Sequence, residues 1–198
     1  MLQLLRLFCF EGLSMKKVLA IASLALLVSS SAFAAKPGET VAGFELGKFK
    51  TDASQSINGV SHGADVSMVY EAIKINKYSN SGRFGASAGL LNENKGTDGK
   101  FLTANYDFMF YNQTSFTPFV GGTLGYSWNE AEFGVNHNGW LLGPQIGIVY
   151  DFSNQFEIEI GGRYLKSTAN GSKNVLGNNI GNDVDYVKQY YISVGYKF

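Results

Sequence analysis

Residues 190–198 read YYISVGYKF. Tyr190, Ile192, Val194, Tyr196 and Phe198 alternate with Tyr191, Ser193, Gly195 and Lys197. A period of two is the signature of a β-strand with one apolar face. Chain ends are usually polar and frayed unless something ties them down. This one keeps its alternation up to a terminal phenylalanine. The pattern predicts a strand whose apolar face meets something other than water, and whose edge is paired.

The same period recurs upstream. In FTPFVGGTLGYSW, residues 116–128, Phe116, Pro118, Val120, Leu124, Tyr126 and Trp128 share a face opposite Thr117, Thr123 and Ser127. In 140–152, Trp140, Leu142, Ile146, Ile148 and Tyr150 oppose Gly143, Gln145, Gly147 and Asp151. In 156–166, Phe156, Ile158, Ile160 and Tyr164 oppose Glu157, Glu159 and Arg163. In 100–110, Leu102, Ala104, Tyr106, Phe108 and Phe110 oppose Thr103, Asn105 and Asp107. In 83–91, Phe84, Ala86, Ala88 and Leu90 oppose Arg83, Gly85, Ser87 and Gly89. Near 60–72, Ala64, Val66, Met68 and Tyr70 read as the apolar face, against Ser61, Gly63, Asp65 and Ser67. Over 39–50, Phe44 and Leu46 oppose Glu45, and Lys48–Phe49 breaks the phase, as a bulge or strand end does. With the C-terminal stretch there are eight strands, each about the 9–11 residues that cross a bilayer at a tilt.

The connections alternate imperfectly. Residues 112–115 and 153–155 are short, whereas 51–59, 129–139 and 168–184 are longer and rich in Asn, Gly, Ser and Asp. The connection 73–82 reads as too long for its side, and 92–99 as intermediate. Short turns on one side and long loops on the other characterise transmembrane barrels.

The other end of the chain sets the compartment. From Met15 the sequence runs MKKVLAIASLALLVSSSAFA. Lys16 and Lys17 precede an apolar run, and Ala32-Phe33-Ala34 is an A-x-A cleavage site. That is the anatomy of a secretory signal peptide over 15–34. The run is shorter than the roughly 20 residues of a membrane-spanning helix. Residues 1–14 read as an extension from a start placed too early, or as a lengthened n-region. The expected mature domain is 35–198. The one cysteine, Cys9, lies outside it, so neither a disulfide framework nor thiol chemistry is expected. Removing Arg6, Lys16 and Lys17 from 16 basic residues, and Glu11 from 16 acidic ones, leaves a small acidic excess. Nothing in that balance suits a nucleic-acid partner.

A soluble β-sandwich also alternates, but it needs bulky apolar groups on its buried face. Here the second face is Gly, Ser, Thr and Asn with charges, which suits a narrow polar interior. Aromatics gather near strand ends on the first face. Tyr126, Trp128, Trp140 and Tyr164 read as a loop-side girdle. Tyr70, Phe84, Phe110, Phe116, Phe152, Phe156, Tyr196 and Phe198 read as a turn-side one. Girdles flanking an apolar band define the lipid-facing wall of a barrel. The fold expected is all-β: an eight-stranded antiparallel transmembrane β-barrel of up-and-down topology. Its last strand closes against its first, because unpaired backbone groups are intolerable in lipid.

The terminal motif resembles the C-terminal signature of bacterial outer-membrane barrels, with Phe198, Tyr196, Val194, Ile192 and Tyr190 matching. The mature chain resembles the small eight-stranded family that includes the OmpA-like barrel domain and the OmpX-type and opacity-type proteins of the porin family. TPFVGGTLGYSW, 117–128, is similar to a fifth-strand segment of that family. The resemblance implies a Gram-negative outer-membrane location, and partnership with periplasmic chaperones and the barrel assembly machinery during biogenesis. It also implies contact with outer-membrane lipid and lipopolysaccharide.

Barrels of eight strands have an interior that side chains fill. Glu45, Asp65, Arg83, Asp107, Glu157, Glu159 and Arg163 are the inward charges expected. They form either an ion-paired network, since unpaired buried charges are costly, or the lining of a narrow pore, cation-preferring because carboxylates outnumber arginines. A lipid A-modifying enzyme would need His with Ser and a carboxylate. His62, beside Ser61, faces the opposite way by parity, and His137 reads as a loop residue. Asp183 and Asp185 in the loop stretch 167–185 lack the spacing of a calcium loop. No cofactor or metal is expected. The expected role is non-enzymatic, structural or interactive, with any extracellular ligand meeting the loops.

Overall fold

The computed structural model describes the backbone of residues 37–57, 60–94, 97–110, 114–131, 135–136, 138–175 and 178–198. Side chains are described outside 53–62, 64–65, 93–98, 130–137 and 170–183. All of these residues fall in one unit, Ser31–Phe198, and the other, Met1–Ser30, lies outside the described residues. The expected extension, signal peptide and cleavage residues Ala32 and Ala34 therefore also lie outside them.

Eight long strands form the wall: β1 (Thr40–Ile57), β2 (Val60–Tyr78), β3 (Gly82–Asn94), β4 (Thr97–Met109), β5 (Phe116–Ala131), β7 (Gly139–Asp151), β8 (Phe156–Ser167) and β10 (Asn178–Lys197). Two short strands extend it, β6 (Val135–Asn136) on β5 and β9 (Asn170–Val175) on β10. Every long strand pairs antiparallel with its neighbour in sequence among these eight. β1 also pairs with β10, from Val41↔Lys197 to Ile57↔Ile180, so the sheet closes. Closure leaves no wall edge unpaired, as an apolar solvent requires.

The last residue is part of the seam. Phe198 donates its N–H to the Thr40 carbonyl at 2.9 Å and accepts from the Thr40 N–H at 3.1 Å. Its ring points outward, 68 % exposed, on the same face as Tyr190 and Tyr196. Ile192 and Val194, half-buried, lie on that face too.

The outer wall carries a broad apolar band. Ile73, Leu90, Leu102, Val120, Leu124, Leu142, Ile146, Ile148 and Ile160 all point out and are 41–68 % exposed. Such a surface is far larger than a soluble monomer presents. Aromatics flank it in contacting pairs. Tyr126 meets Trp128 and Trp140 at 4.8 and 5.2 Å between centroids, at the loop-side end. Phe116 stacks on Tyr150, and Phe156 meets Tyr196, at the turn-side end. Pro144 sits mid-strand in β7, where the β7–β8 ladder lapses between Leu142↔Lys166 and Gln145↔Arg163. A proline has no N–H to give to a ladder.

Four expectations change. First, Met68 and Tyr70 point into the barrel, so Tyr70 leaves the turn-side girdle. Second, Lys48–Phe49 is neither a bulge nor a strand end. β1 runs through it in register, with Lys48 out and Phe49 buried inside. The irregularity comes later, between Asp52 and Ala53, where Asp185 of β10 is the extra residue. Third, the connection 73–82 is short: β2 reaches Tyr78 and only residues 79–81 remain. Fourth, the segments read as loops at 51–59 and 168–184 are largely strand, as β1 continues to Ile57 and β9 pairs with β10. Beyond the membrane both faces of a hairpin meet water, so the ladder continues there without any apolar alternation.

Candidate functional site

The interior is the first place to look. Interior glycines make room for rings. Four cross-strand pairs place an inward aromatic opposite a glycine: Gly47↔Tyr70, Gly89↔Phe101, Gly147↔Phe119 and Gly161↔Tyr191. A methyl group on any of these glycines would collide with the partner ring. The absence of a side chain on one strand is what lets the ring lie flat across it, inside a tube this narrow.

Toward the loop ends the interior is apolar. Phe49, Met68, Tyr70, Leu91, Phe101, Leu141, Leu165, Val187 and Tyr191 form one buried cluster. Seven of the eight wall strands contribute to it. The interior is thus not polar throughout, which is why apolar residues occur on both faces of β1 and β2.

Beneath that layer lies a network of charges. Arg163 grips Glu45 with two hydrogen bonds, Nη1 to Oε1 at 2.7 Å and Nη2 to Oε2 at 3.0 Å. Its Nε donates to Gln145 Oε1 at 3.0 Å, and Nη1 also reaches Gln189 Oε1 at 3.0 Å. The guanidinium lies over the Tyr191 ring at 4.2 Å. Tyr70 donates its hydroxyl to Glu45 at 2.7 Å. Arg83 bridges Asp107 at 2.8 Å and Glu159 at 2.7 Å, and stacks over Phe119 at 4.4 Å. Lys74 binds Glu159 at 2.8 Å and approaches Glu45 at 3.6 Å. Tyr191 donates to Glu159 at 2.7 Å, and Tyr78 to Glu157 at 3.0 Å. Gln145 donates to Asp107, and Lys197 pairs with Asp151 near the turn ends.

Of the seven inward charges expected, Glu45, Arg83, Asp107, Glu157, Glu159 and Arg163 are buried on the inner face. The Asp65 side chain lies outside the described residues. Lys74, Asp151 and Lys197 join them inside. Lys74 carried a readable signal, since Ile73 and Ile75 alternate with Lys74 and Asn76. Among the described residues the interior holds five carboxylates against four cations, so the acidic excess expected from the sequence nearly vanishes. Buried charges survive only when paired and hydrogen-bonded, and each of these nine has an opposite charge or a hydrogen-bonding hydroxyl against it.

The side chains of His62, Ser61, His137 and Asp183 lie outside the described residues. On the outer wall a groove of about 740 Å³ runs over Ala88 and Gly89, between Phe44, Leu102 and Trp128. Its lining is almost wholly apolar, apart from Glu71 and Lys100.

No protein-family model matches the sequence, and no curated protein does. Solved structures do match. The chain is similar to the outer membrane protein OprG from Pseudomonas aeruginosa, at 15 % identity and a TM-score of 0.63 over 85 % of this chain and 99 % of that one. It is also similar to the outer membrane protein AlkL, solved in lipid bilayers, at 15 % identity and 0.56 over 86 % and 95 %. Neisserial surface protein A gives 18 % identity and 0.53 over 78 % and 97 %. At these identities the likeness is one of fold, and it spans nearly the whole of each compared structure. Closed, antiparallel and apolar on its outside, the chain has the fold of the small eight-stranded outer-membrane β-barrels.

Proposed function

We propose that this protein is a non-enzymatic barrel of the bacterial outer membrane that serves as a non-conducting anchor. Its loop-side hairpins then form the surface offered to the outside. The observation that carries this reading is the apolar layer across the loop end of the interior, from Phe49 round to Tyr191. An ion entering from the loop side would shed its water against Leu91, Phe101, Leu141 and Leu165 before reaching the buried charges below. Hydrophobic constrictions of this kind hold pores shut. The charges below are committed to one another, as the Arg163–Glu45 and Arg83–Glu159 bridges illustrate.

Export through the segment 15–34, delivery by periplasmic chaperones and insertion through the terminal motif Tyr190, Ile192, Val194, Tyr196 and Phe198 complete the proposal. Its support is the outward placement of those five side chains and the seam that Phe198 makes with Thr40.

The test is single-channel recording in planar bilayers. The chain is refolded first, and heat-modifiable gel mobility shows that the barrel has formed. The anchor reading expects silence across many insertions. Reproducible conductance steps, altered by Asp107→Asn or Arg163→Gln, would replace it with a narrow pore.

A further inference from the structure

On three adjacent strands the outward apolar run stops at a lysine. On β1, Ala42, Phe44 and Leu46 give way to Lys48 and Lys50. On β8, Ile158, Ile160 and Tyr164 give way to Lys166. On β10, read from the turn side, Tyr196, Val194, Ile192 and Tyr190 give way to Lys188. The change happens at the loop-side end each time. The strands run β8–β10–β1 across the closing seam, so the four lysines form one patch.

The register places like charges side by side. Lys50 pairs directly with Lys188, and Lys188 in turn with Tyr164, while Lys166 pairs with Tyr186. Like charges opposite each other in a sheet repel. Lys188 is held by Asp52 at 2.7 Å, and among the described residues Asp185 on β10 and Glu71 on β2, opposite Leu46, are the other outward carboxylates beside the patch. Among the described residues four ammonium groups thus meet three carboxylates. Tyr164 and Tyr186 stack at 5.2 Å between centroids, and the Lys188 ammonium lies 5.9 Å from the Tyr164 ring. Tyrosines and lysines at the upper rim of an apolar band sit where lipid headgroups begin.

We infer that this patch of Lys48, Lys50, Lys166 and Lys188 binds the phosphorylated headgroup of an outer-leaflet lipid, whose acyl chains lie along the apolar wall below. The inference rests on the membrane reading above and gives a lipid headgroup a specific place on the barrel. An anionic headgroup relieves the repulsion between Lys50 and Lys188 that the fold builds in. The apolar run directly below the lysines meets acyl chains, so an anion carried on a lipid is held at both halves, whereas a soluble anion is held at one.

The test compares retained lipid by native mass spectrometry, with the protein refolded in neutral detergent. The probes are diphosphorylated lipid A, its dephosphorylated form, and inorganic phosphate as competitor. The wild-type barrel should retain the diphosphorylated form. A K48Q/K50Q/K166Q/K188Q variant should lose at least about tenfold of that retention, since each lysine near a charged membrane surface contributes separately. The milder K50Q/K166Q variant should lose part of it. Lys100→Gln, on the opposite wall, should change nothing. Equal retention by wild type and either variant, equal retention of the dephosphorylated lipid, or displacement by millimolar inorganic phosphate would each overturn the inference. A wild-type chain without heat-modifiable mobility removes the barrel reading and the patch with it. A folded barrel that fails the lipid comparison removes the patch alone.

Discussion

Arg163 on β8 and Glu45 on β1 meet inside the barrel through two hydrogen bonds of 2.7 and 3.0 Å, although 118 residues separate them in sequence. Both are buried, and β10 stands between their strands. The pair ties β1 to β8 across the closing seam.

That bridge should matter to stability. Arg163→Ala leaves Glu45 buried without its main counter-charge, and breaking a buried pair costs about 3–5 kcal/mol. Unfolding by denaturant from lipid vesicles should show the loss. The double variant Arg163→Ala/Glu45→Gln should recover part of it, because the stranded charge is gone. A double variant as unstable as the sum of the singles would mean that the two residues do not act as a pair.

The interior aromatics make a separate prediction. Gly147→Ala places a methyl group in the Phe119 ring, and overpacking of this kind costs about 1–3 kcal/mol. Phe119→Leu in the same chain should relieve the clash. The measurement is again the denaturation midpoint in lipid, and failure of the second substitution to compensate would argue against the ring lying over the glycine.

On the outside, position decides the effect. Ile146 lies midway along β7 and is 66 % exposed, so Ile146→Arg would be harmless on a soluble protein. In a bilayer an arginine at midplane costs about 2–4 kcal/mol and near the interface about 0–1 kcal/mol. Ile146→Arg should therefore destabilise far more than Asn92→Arg, at the loop-side end of β3. Equal effects in vesicles would remove the lipid-facing assignment of this wall.

Deleting Phe198 takes away both hydrogen bonds to Thr40 and the last outward aromatic. The heat-modifiable band should then appear more slowly and less completely during refolding into vesicles. Phe198→Ala keeps the backbone seam, so it should fall between deletion and wild type. Three indistinguishable time courses would show that closure does not depend on this residue.

The alternation in 39–50, 83–91, 100–110, 116–128, 140–152, 156–166 and 190–198 is enough to read seven of the eight strands and their outward faces, because lipid demands an unbroken apolar face. It is also enough to turn Glu45, Arg83, Asp107, Glu157, Glu159 and Arg163 inward. It fails in β2. Met68 and Tyr70 look like lipid-facing residues and are interior ones, since the apolar layer at the loop end puts hydrophobic side chains on both faces. Ile73 and Ile75 alternating with Lys74 and Asn76 are the local hint, since the same parity turns Met68 and Tyr70 inward.

Which charge meets which was beyond reading. Partners are set by the tilt and stagger of strands in the closed sheet, and alternation within a strand says nothing about stagger between strands. The lysine patch has the same origin. Lys50, Lys166 and Lys188 are scattered along the chain, and only the pairing of β8 with β10 and the closure of β1 on β10 make them neighbours. By itself the sequence determined the class of fold and the face of most side chains, because both follow from the solvent on either side of a strand. The partnerships inside, and the patch outside, were decided by the register of the closed barrel, which is a property of all eight strands together.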